Sequence, residues 1–233
     1  MSAEFEAELR SAFPRETDAV VIRSVQQAIG LADTLRSDTP FLKSVLGEDL
    51  IGCLHRVAAL WLLHKACKDG DLPFNAEEIE NKTGTSHLLK ITSGRFEAHV
   101  VRTESPGGFP RDMPVRQDAS FKNEPDLFSD IKLVPAKLLL EKMSTRYAWL
   151  SFNTVNKGVL GHVCWCMPEK EERKYLARIN ILREMRDRGD NADDLAPNKP
   201  PPKPDPKLLL KFKDHVQEQI ERNDDTEEKK SAS

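Results

Sequence analysis

The stretch TGTSHLLKITSGRFEAHVV, residues 83–101, decides the fold class of this chain. Two runs rich in apolar and β-branched residues flank Ser93-Gly94, a dipeptide typical of a tight hairpin turn. Pro106 and the two glycines that follow it end the second run. The stretch therefore predicts two antiparallel strands.

More strand candidates follow in the chain. Residues 147–152 and 159–167 are mainly apolar, and a hairpin signal, Asn156-Lys157-Gly158, joins them. Residues 175–182 predict either one more strand or a strand that runs into a helix over 182–188. A loop over 105–125 and a helix over 133–143 are expected in between. We therefore expect an antiparallel sheet of four or five strands.

The residues before the hairpin repeat with helical spacing. Residues 50–66 are apolar almost all round, which predicts a central core helix, and Gly70 is placed to end it. Residues 77–80 are expected to form only a short turn. Because helices precede strands, the order predicts a single α+β domain over 1–189, with a helical part over 1–72 and a sheet part over 83–189.

The composition changes after Gly189. Residues 190–206 are rich in proline and predict an extended, semi-rigid linker. Residues 207–222 predict an amphipathic helix, whose apolar face is Leu209, Phe212, Val216 and Ile220. We expect this helix to dock on a protein partner or a second copy of the chain. The alternatives are that it folds back on its own domain or that it is a loose, partly helical tail. Residues 223–233 are expected to be disordered.

The charge of the 233-residue chain is nearly balanced, with 35 Lys+Arg against 38 Asp+Glu and a net charge of -3. This balance excludes a uniformly basic nucleic-acid coat and an acidic disordered activator. Residues 1–80 hold 8 basic and 14 acidic side chains, 81–122 hold 7 and 4, 123–189 hold 12 and 9, and 190–233 hold 8 and 11. The sheet part is thus weakly basic between acidic ends.

The location of the protein is predicted from what its sequence lacks. The N-terminus carries no apolar signal segment, and no run is long and apolar enough to span a membrane. We therefore expect a cytoplasmic protein with no membrane association and with its four cysteines reduced.

Basic residues near the first hairpin form the candidate binding surface: Arg95, His99, Arg102, Arg111, Arg116 and Lys122. Strand alternation places Arg95 and His99 on one face. A proline-bounded loop can hold an arginine for two-point capture of a carboxylate or phosphate. Acidic neighbours such as Glu97 leave open that the arginines form internal ion pairs instead.

Metal and catalytic patterns are incomplete. His162, Cys164 and Cys166 share one strand face, but same-face neighbours lie about 6.5–7 Å apart, too wide for tetrahedral zinc. Packing in the sheet is therefore the favoured interpretation. His55 and His64, which stand beside Cys53 and Cys67 on the core helix, are out of phase and do not face one site.

No phosphate-binding loop motif is present, and we assign no catalytic residue, no metal ligand and no cofactor. A metal-dependent hydrolase or nuclease using Asp126, Asp130 and Lys132 stays an alternative.

Several short motifs resemble a recurring pattern in uncharacterised bacterial proteins. They are His87-Leu88-Leu89-Lys90-Ile91, Gly94-Arg95-Phe96, Ser105-Pro106-Gly107, Pro110-Arg111, Val115-Arg116-Gln117 and Leu127-Phe128. The resemblance covers about residues 85–165. It implies an intracellular bacterial α+β domain and draws interest to Arg111 and Arg116, but it carries no activity.

These patterns predict a non-enzymatic interaction or regulatory domain that binds a protein partner through the arginine-bearing loop, the C-terminal helix, or both. Nucleic-acid binding by the basic sheet part is the second hypothesis. It requires Arg95, Arg102, Arg111 and Arg116 to share one face.

Overall fold

Helices occupy the N-terminal part of the chain and a sheet follows, which confirms the α+β class. The computed structural model describes residues 3–80, 87–110, 116, 119–123, 145–155, 158–169, 173–189, 206–215 and 217. The first helices are α1 (Ala3–Ala12), α2 (Asp18–Asp38), α3 (Val45–Glu48) and α4 (Ile51–Lys68), with 3-10 turns at Arg15–Thr17 and Pro40–Lys43. Within the described ranges, no helix combines the length and apolar character needed to cross a bilayer.

The sheet has six strands that lie side by side in sequence order. They are β1 (Asn75–Glu80), β2 (His87–Ser93), β3 (Phe96–Arg102), β4 (Arg146–Val155), β5 (Val159–Pro168) and β6 (Tyr175–Asn180). All neighbours are antiparallel except β3 and β4, which are parallel. The prediction of four or five antiparallel strands is therefore wrong in number and in direction.

The additional strand is β1, where only a short turn was expected. Three glutamates give its sequence, NAEEIE, little strand character. An edge strand tolerates such charges because one side of it faces solvent. Glu77 pairs in register with Lys90 of β2, and the two side chains form an ion pair. Pairing and charge complementarity thus stabilise a strand that hydrophobicity does not indicate.

The parallel pair follows from the long connection between β3 and β4. A hairpin reverses the chain, whereas a long crossover returns it to the end where the previous strand began. Here Phe96 pairs with Arg146 and Arg102 with Phe152. A 3-10 turn, Phe121–Asn123, lies within this connection. The helix predicted over 133–143 falls outside the described residues.

Both predicted hairpins are confirmed at their glycines. Gly94, between β2 and β3, has φ 54°, and Gly158, between β4 and β5, has φ 82°. These left-handed conformations favour glycine. At the far edge, β6 runs directly into α5 (Ile181–Arg188), as one of the two alternatives predicted. The side chain of Asn180 caps this helix by accepting from the backbone N–H of Arg183 at 3.1 Å.

The helices cover one face of the sheet. Alternate residues of β3 and β5, such as Ala98 and Trp165, point into this core. Phe13 stacks on Trp165 with ring centroids 3.8 Å apart. Eleven residues are buried in α2, compared with six in α4. The central helix is therefore α2 and not α4. As predicted, Gly70 follows the C-terminus of α4 in a left-handed conformation, with φ 84°.

The C-terminal helix, α6, spans 206–215, which confirms the described part of the predicted helix. Its Phe212 is fully buried and lies 5.7 Å from the ring of Trp61 on α4. Lys213 lies 3.8 Å from Asp38 of α2. The helix therefore takes the alternative in which it folds back on its own domain. Val216, Ile220 and the linker over 190–205 lie outside what the structure describes.

Candidate functional site

The predicted basic residues do not form one surface. Arg95 reaches Glu8 of α1 at one end of β3. His99 lies on the sheet face opposite the helices and is only 1% exposed. Arg102, at the other end of β3, alternates with Phe96, Ala98 and Val100 and so belongs to the helix side. Arg111 lies outside the described residues.

On the face opposite the helices, a buried polar network surrounds His99. The hydroxyl of Tyr147 lies 2.8 Å from His99 Nδ1, and Glu97 lies 3.5 Å from its Nε2. Lys122 donates to Glu97 at 2.7 Å. The adjacent imidazole of His99 and the cation of Lys122 lower the pKa of Glu97 to about 2, although burial opposes them. The network ties the 3-10 turn of the crossover to β3.

Neighbouring residues on this face also make contacts within the domain. Asn123 bonds the backbone N–H and carbonyl of Tyr147 and the carbonyl of Pro168, each at 2.8 Å. Arg116 is half-buried beside Tyr147, and burial lowers the pKa of its guanidinium. Lys122, His99 and Arg116 therefore act here as internal partners, which is the structural alternative left open by the sequence.

The cysteines and the histidine of β5 also contact neighbouring residues within the sheet. Cys164 and Cys166 are fully buried on the second face, and His162 Nε2 lies 3.0 Å from the hydroxyl of Thr103. Burial lowers the pKa of His162 to about 4. Among the described residues, no group of three or more His, Cys, Asp or Glu side chains is arranged to hold a metal ion. Asp126, Asp130 and Lys132 lie outside them.

His55 and His64 of α4 face different partners, as their spacing predicts. His64 Nδ1 lies 3.1 Å from Glu78 of β1. His55 Nε2 lies 3.0 Å from Asp33 of α2, and the imidazole is 4% exposed. A carboxylate can only accept, so Nε2–H donates to Asp33. His55 Nδ1 is buried without a hydrogen-bond partner and so cannot reach a substrate proton.

The Asp33–His55 pair stands at the wall of a cleft that the sequence did not reveal. The cleft has a volume of about 720 Å³ and lies where α2 ends, α4 begins and the β4–β5 turn approaches them. We call it the basic cleft. Its lining residues are Asp33, Arg36, Ser37, Lys43, Ile51, His55, Arg102, Thr154 and Gly158.

Two glycines allow the walls of the basic cleft to approach each other. A Cβ at Gly52, in the first turn of α4, would overlap Nη1 of Arg102. A Cβ at Gly158 would overlap Oδ2 of Asp33. Gly52 is the second residue of α4, and its missing side chain is a sign of close approach by another group. The sequence did not indicate that Arg102 is that group.

The cations of the basic cleft are held to different degrees. Arg36 donates to the carbonyl of Leu42 and to Glu48, both at 3.2 Å. Arg102 donates through Nε to Asn153 at 2.9 Å. Within the part of the chain that the structure describes, neither the Nη groups of Arg102 nor Lys43 has an acceptor. Two cationic groups are thus available to a ligand.

Large apolar side chains are exposed beside the basic cleft. Phe41 is 67% exposed, Val45 81% and Leu50 45%, all on the segment 40–50 that carries Lys43. Val155, 51% exposed, follows the cleft residue Thr154. We call Phe41, Val45, Leu50 and Val155 the apolar rim. The rim and the cleft together make an amphipathic surface.

The segment that carries the rim is well ordered by local bonds. Ser44 caps α3 by accepting from the backbone N–H of Gly47 at 3.2 Å and donates to the carbonyl of Phe41 at 2.6 Å. A Cβ at Gly47 would overlap the backbone of Leu42, so the two short helical turns are in close contact. The exposed side chains therefore stand on a fixed backbone.

No family model matches the chain, and no curated protein or solved structure matches it either. The resemblance to a bacterial family therefore stays a prediction. The function of the chain has to be inferred from its own residues.

Proposed function

We propose that this chain is a non-enzymatic interaction domain that binds an acidic, partly apolar segment of a protein partner. The binding surface is the basic cleft together with the apolar rim. One observation carries the proposal: Phe41 and Val45 are 67% and 81% exposed on an ordered segment that also presents Lys43 to the cleft. Exposed apolar side chains that cluster beside polar groups are typical of interaction sites.

The rim offers enough area to support weak to moderate binding. Complete burial of a phenylalanine is worth about 1.5–3 kcal/mol, so covering the exposed two thirds of Phe41 is worth about 1–2 kcal/mol. That range corresponds to roughly 5- to 30-fold in affinity. Charged groups in the cleft add orientation and selectivity.

A protein segment fits this surface better than nucleic acid does. Asp33 lines the cleft, and Glu48 forms an ion pair with the cleft residue Arg36. A polyanion with closely spaced phosphates would meet these carboxylates as well as the arginines. Arg95 and Arg102 also lie at opposite ends of β3, where they contact Glu8 and Asn153.

The surface differs from the two suggested by the sequence. Phe212 of the C-terminal helix is already buried against Trp61, so its main apolar anchor is used within the domain. Arg116 of the loop is half-buried. The cleft and rim instead combine free cations with free apolar area.

The test is selection of a random peptide library on the full chain. We expect enriched peptides to combine at least one acidic residue with aromatic or aliphatic residues. Phe41→Ser should weaken their binding about 5- to 30-fold. The matched control is Leu210→Ser, because Leu210 is 61% exposed on α6 and is not part of the rim.

Two results would overturn the proposal. One is a set of enriched peptides that bind Phe41→Ser and the unaltered chain equally. The other is tight, steeply salt-dependent binding of a single-stranded oligonucleotide by the full chain, which would favour the nucleic-acid hypothesis.

A further inference from the structure

We propose that the basic cleft contains a subsite for a single carboxylate, with the guanidinium of Arg102 as its main ligand. The inference rests on the proposed function, because it names the group by which the partner segment is anchored. It is carried by the fixed position of Arg102, by the start of α4 beside it, and by the net charge of the cleft.

The guanidinium group of Arg102 is held in a defined orientation. Its Nε donates to Asn153 Oδ1 at 2.9 Å, and Nη1 fills the space that the missing side chain of Gly52 leaves. In the described residues no acceptor occupies either Nη group. A planar guanidinium with one edge fixed and another edge free is suited to two parallel hydrogen bonds with a carboxylate.

The first turn of α4 adds positive potential at the same place. The helix has 18 residues, its N-cap Leu50 makes no side-chain capping bond, and Ile51 lines the cleft. The N-terminus of a helix carries about half a positive charge and favours anions.

The Asp33–His55 hydrogen bond keeps the competing carboxylate away from Arg102. Asp33 lines the cleft and could otherwise bind the guanidinium itself. Its Oδ1 accepts from His55 at 3.0 Å, and its Oδ2 lies against Gly158. Asp33 is thus held by His55, and within the described residues no acceptor bonds the Nη groups of Arg102.

The charge of the cleft matches one negative charge. Arg36, Lys43 and Arg102 contribute three positive charges, Asp33 takes away one, and Glu48, which pairs with Arg36, takes away another. The remainder is one positive charge. A carboxylate carries one negative charge, whereas a phosphate monoester carries about 1.5–2 at pH 7. The net charge of the cleft therefore favours a carboxylate over a phosphate monoester.

The subsite is tested on the full chain with small anions, followed by NMR of backbone amides and arginine side chains. Acetate should bind saturably in the millimolar range and shift the Gly52 amide and the Arg102 Nε–H. Arg102→Lys, which keeps the charge and removes the fork, should weaken binding at least about fivefold. Gly52→Ala, which displaces the guanidinium without changing any charge, should weaken it similarly.

Arg95→Gln is the matched control, because it removes one cation from a partly exposed site at the other end of β3. Acetate affinity should change by less than about twofold in this variant. The subsite is refuted if acetate leaves Gly52 and Arg102 unshifted, if Arg95→Gln and Arg102→Lys have equal effects, or if methyl phosphate binds about tenfold more tightly than acetate. Thermal melting checks that Gly52→Ala is folded, and Arg102→Lys carries the test if it is not.

Two sources of the carboxylate are separated with paired peptides. One has a free C-terminus and no acidic side chain, and the other has an amidated C-terminus and a single glutamate. Stronger binding of either one, relative to an amidated peptide without glutamate, supports the subsite and identifies the source. Equal binding of all three contradicts it.

Failure of the subsite and failure of the proposed function are distinguishable. Phe41→Ser should keep acetate binding and lose peptide binding. Peptide binding that depends on Phe41, with no acetate binding, would reject the carboxylate subsite alone. Acetate binding at Arg102 without any peptide that depends on Phe41 would reject the interaction domain alone.

Discussion

Replacing Phe212 by alanine weakens the attachment of α6 to the domain. Phe212 is fully buried against Trp61, whereas Leu208 and Leu209 are only half-buried. The phenyl ring therefore supplies most of the apolar contact of α6. Complete burial of such a side chain is worth about 1.5–3 kcal/mol. Its loss should raise the detached population of α6 about 10- to 150-fold.

The assay is limited trypsin digestion of the folded chain, with fragments followed by mass spectrometry. Lys211 and Lys213 lie on α6, and cleavage there requires the helix to detach and unwind. When detachment is fast relative to cleavage, the cleavage rate follows the detached population. Phe212→Ala should therefore be cut about 10- to 150-fold faster at these two positions.

Leu210→Ala is the matched control for this change. Leu210 is 61% exposed on the same helix, so its truncation alters helix propensity little and removes almost no burial. Its cleavage rate should stay within about twofold of that of the unaltered chain. The reasoning is refuted if Phe212→Ala is cut at the unaltered rate, or if the two variants are cut equally fast.

The other predictions concern acid stability and the glycine turns. Protonation of Glu97, whose pKa is about 2 in the folded state, should remove roughly 3 kcal/mol of stability as the pH falls from about 4.5 to 2; Glu97→Gln should flatten this part of a urea-unfolding profile. His162, whose pKa burial lowers to about 4, stays neutral in the folded state while the unfolded state takes up a proton below about pH 6.5. Stability should therefore fall by roughly 2 kcal/mol between pH 6.5 and 5, and an unchanged profile in His162→Gln would contradict this. Gly158→Ala should lower the free energy of unfolding in urea clearly more than Gly70→Ala does. Both positions have positive φ, but only Gly158 lies against Asp33. Equal losses of about 1 kcal/mol would show that Asp33 moves aside freely.

The sequence predicted the elements whose stabilising interactions are local. The Ser93-Gly94 turn, the long apolar α4 and the helix after the proline-rich segment are specified by turn residues and by periodicity. β1 was missed because its stability comes from pairing with β2 at a distance, shown by Glu77 and Lys90. The direction of β4 was missed because it depends on the path of the crossover.

Most of the candidate site could not be predicted, because its contacts join residues that lie far apart in the sequence. Asp33 and His55 are 22 residues apart, and Arg102 meets Gly52 across 50 residues. Neither pair belongs to a short motif. The basic residues near the first hairpin were identified as charged, but pattern alone could not show that Lys122 pairs with the half-buried Glu97 beside His99.

The stacking of Phe13 on Trp165 bears on the order in which the protein becomes complete during its synthesis. The two residues are separated by 152 positions. At a synthesis rate of about 5–20 residues per second, Phe13 is synthesised roughly 8–30 s before Trp165. For that time α1 and α2 lack the strands that cover them in the finished domain. A nascent chain stopped before β5 should therefore be aggregation-prone and sensitive to proteases. Once β5 and β6 are synthesised and released, the chain should become protease-resistant.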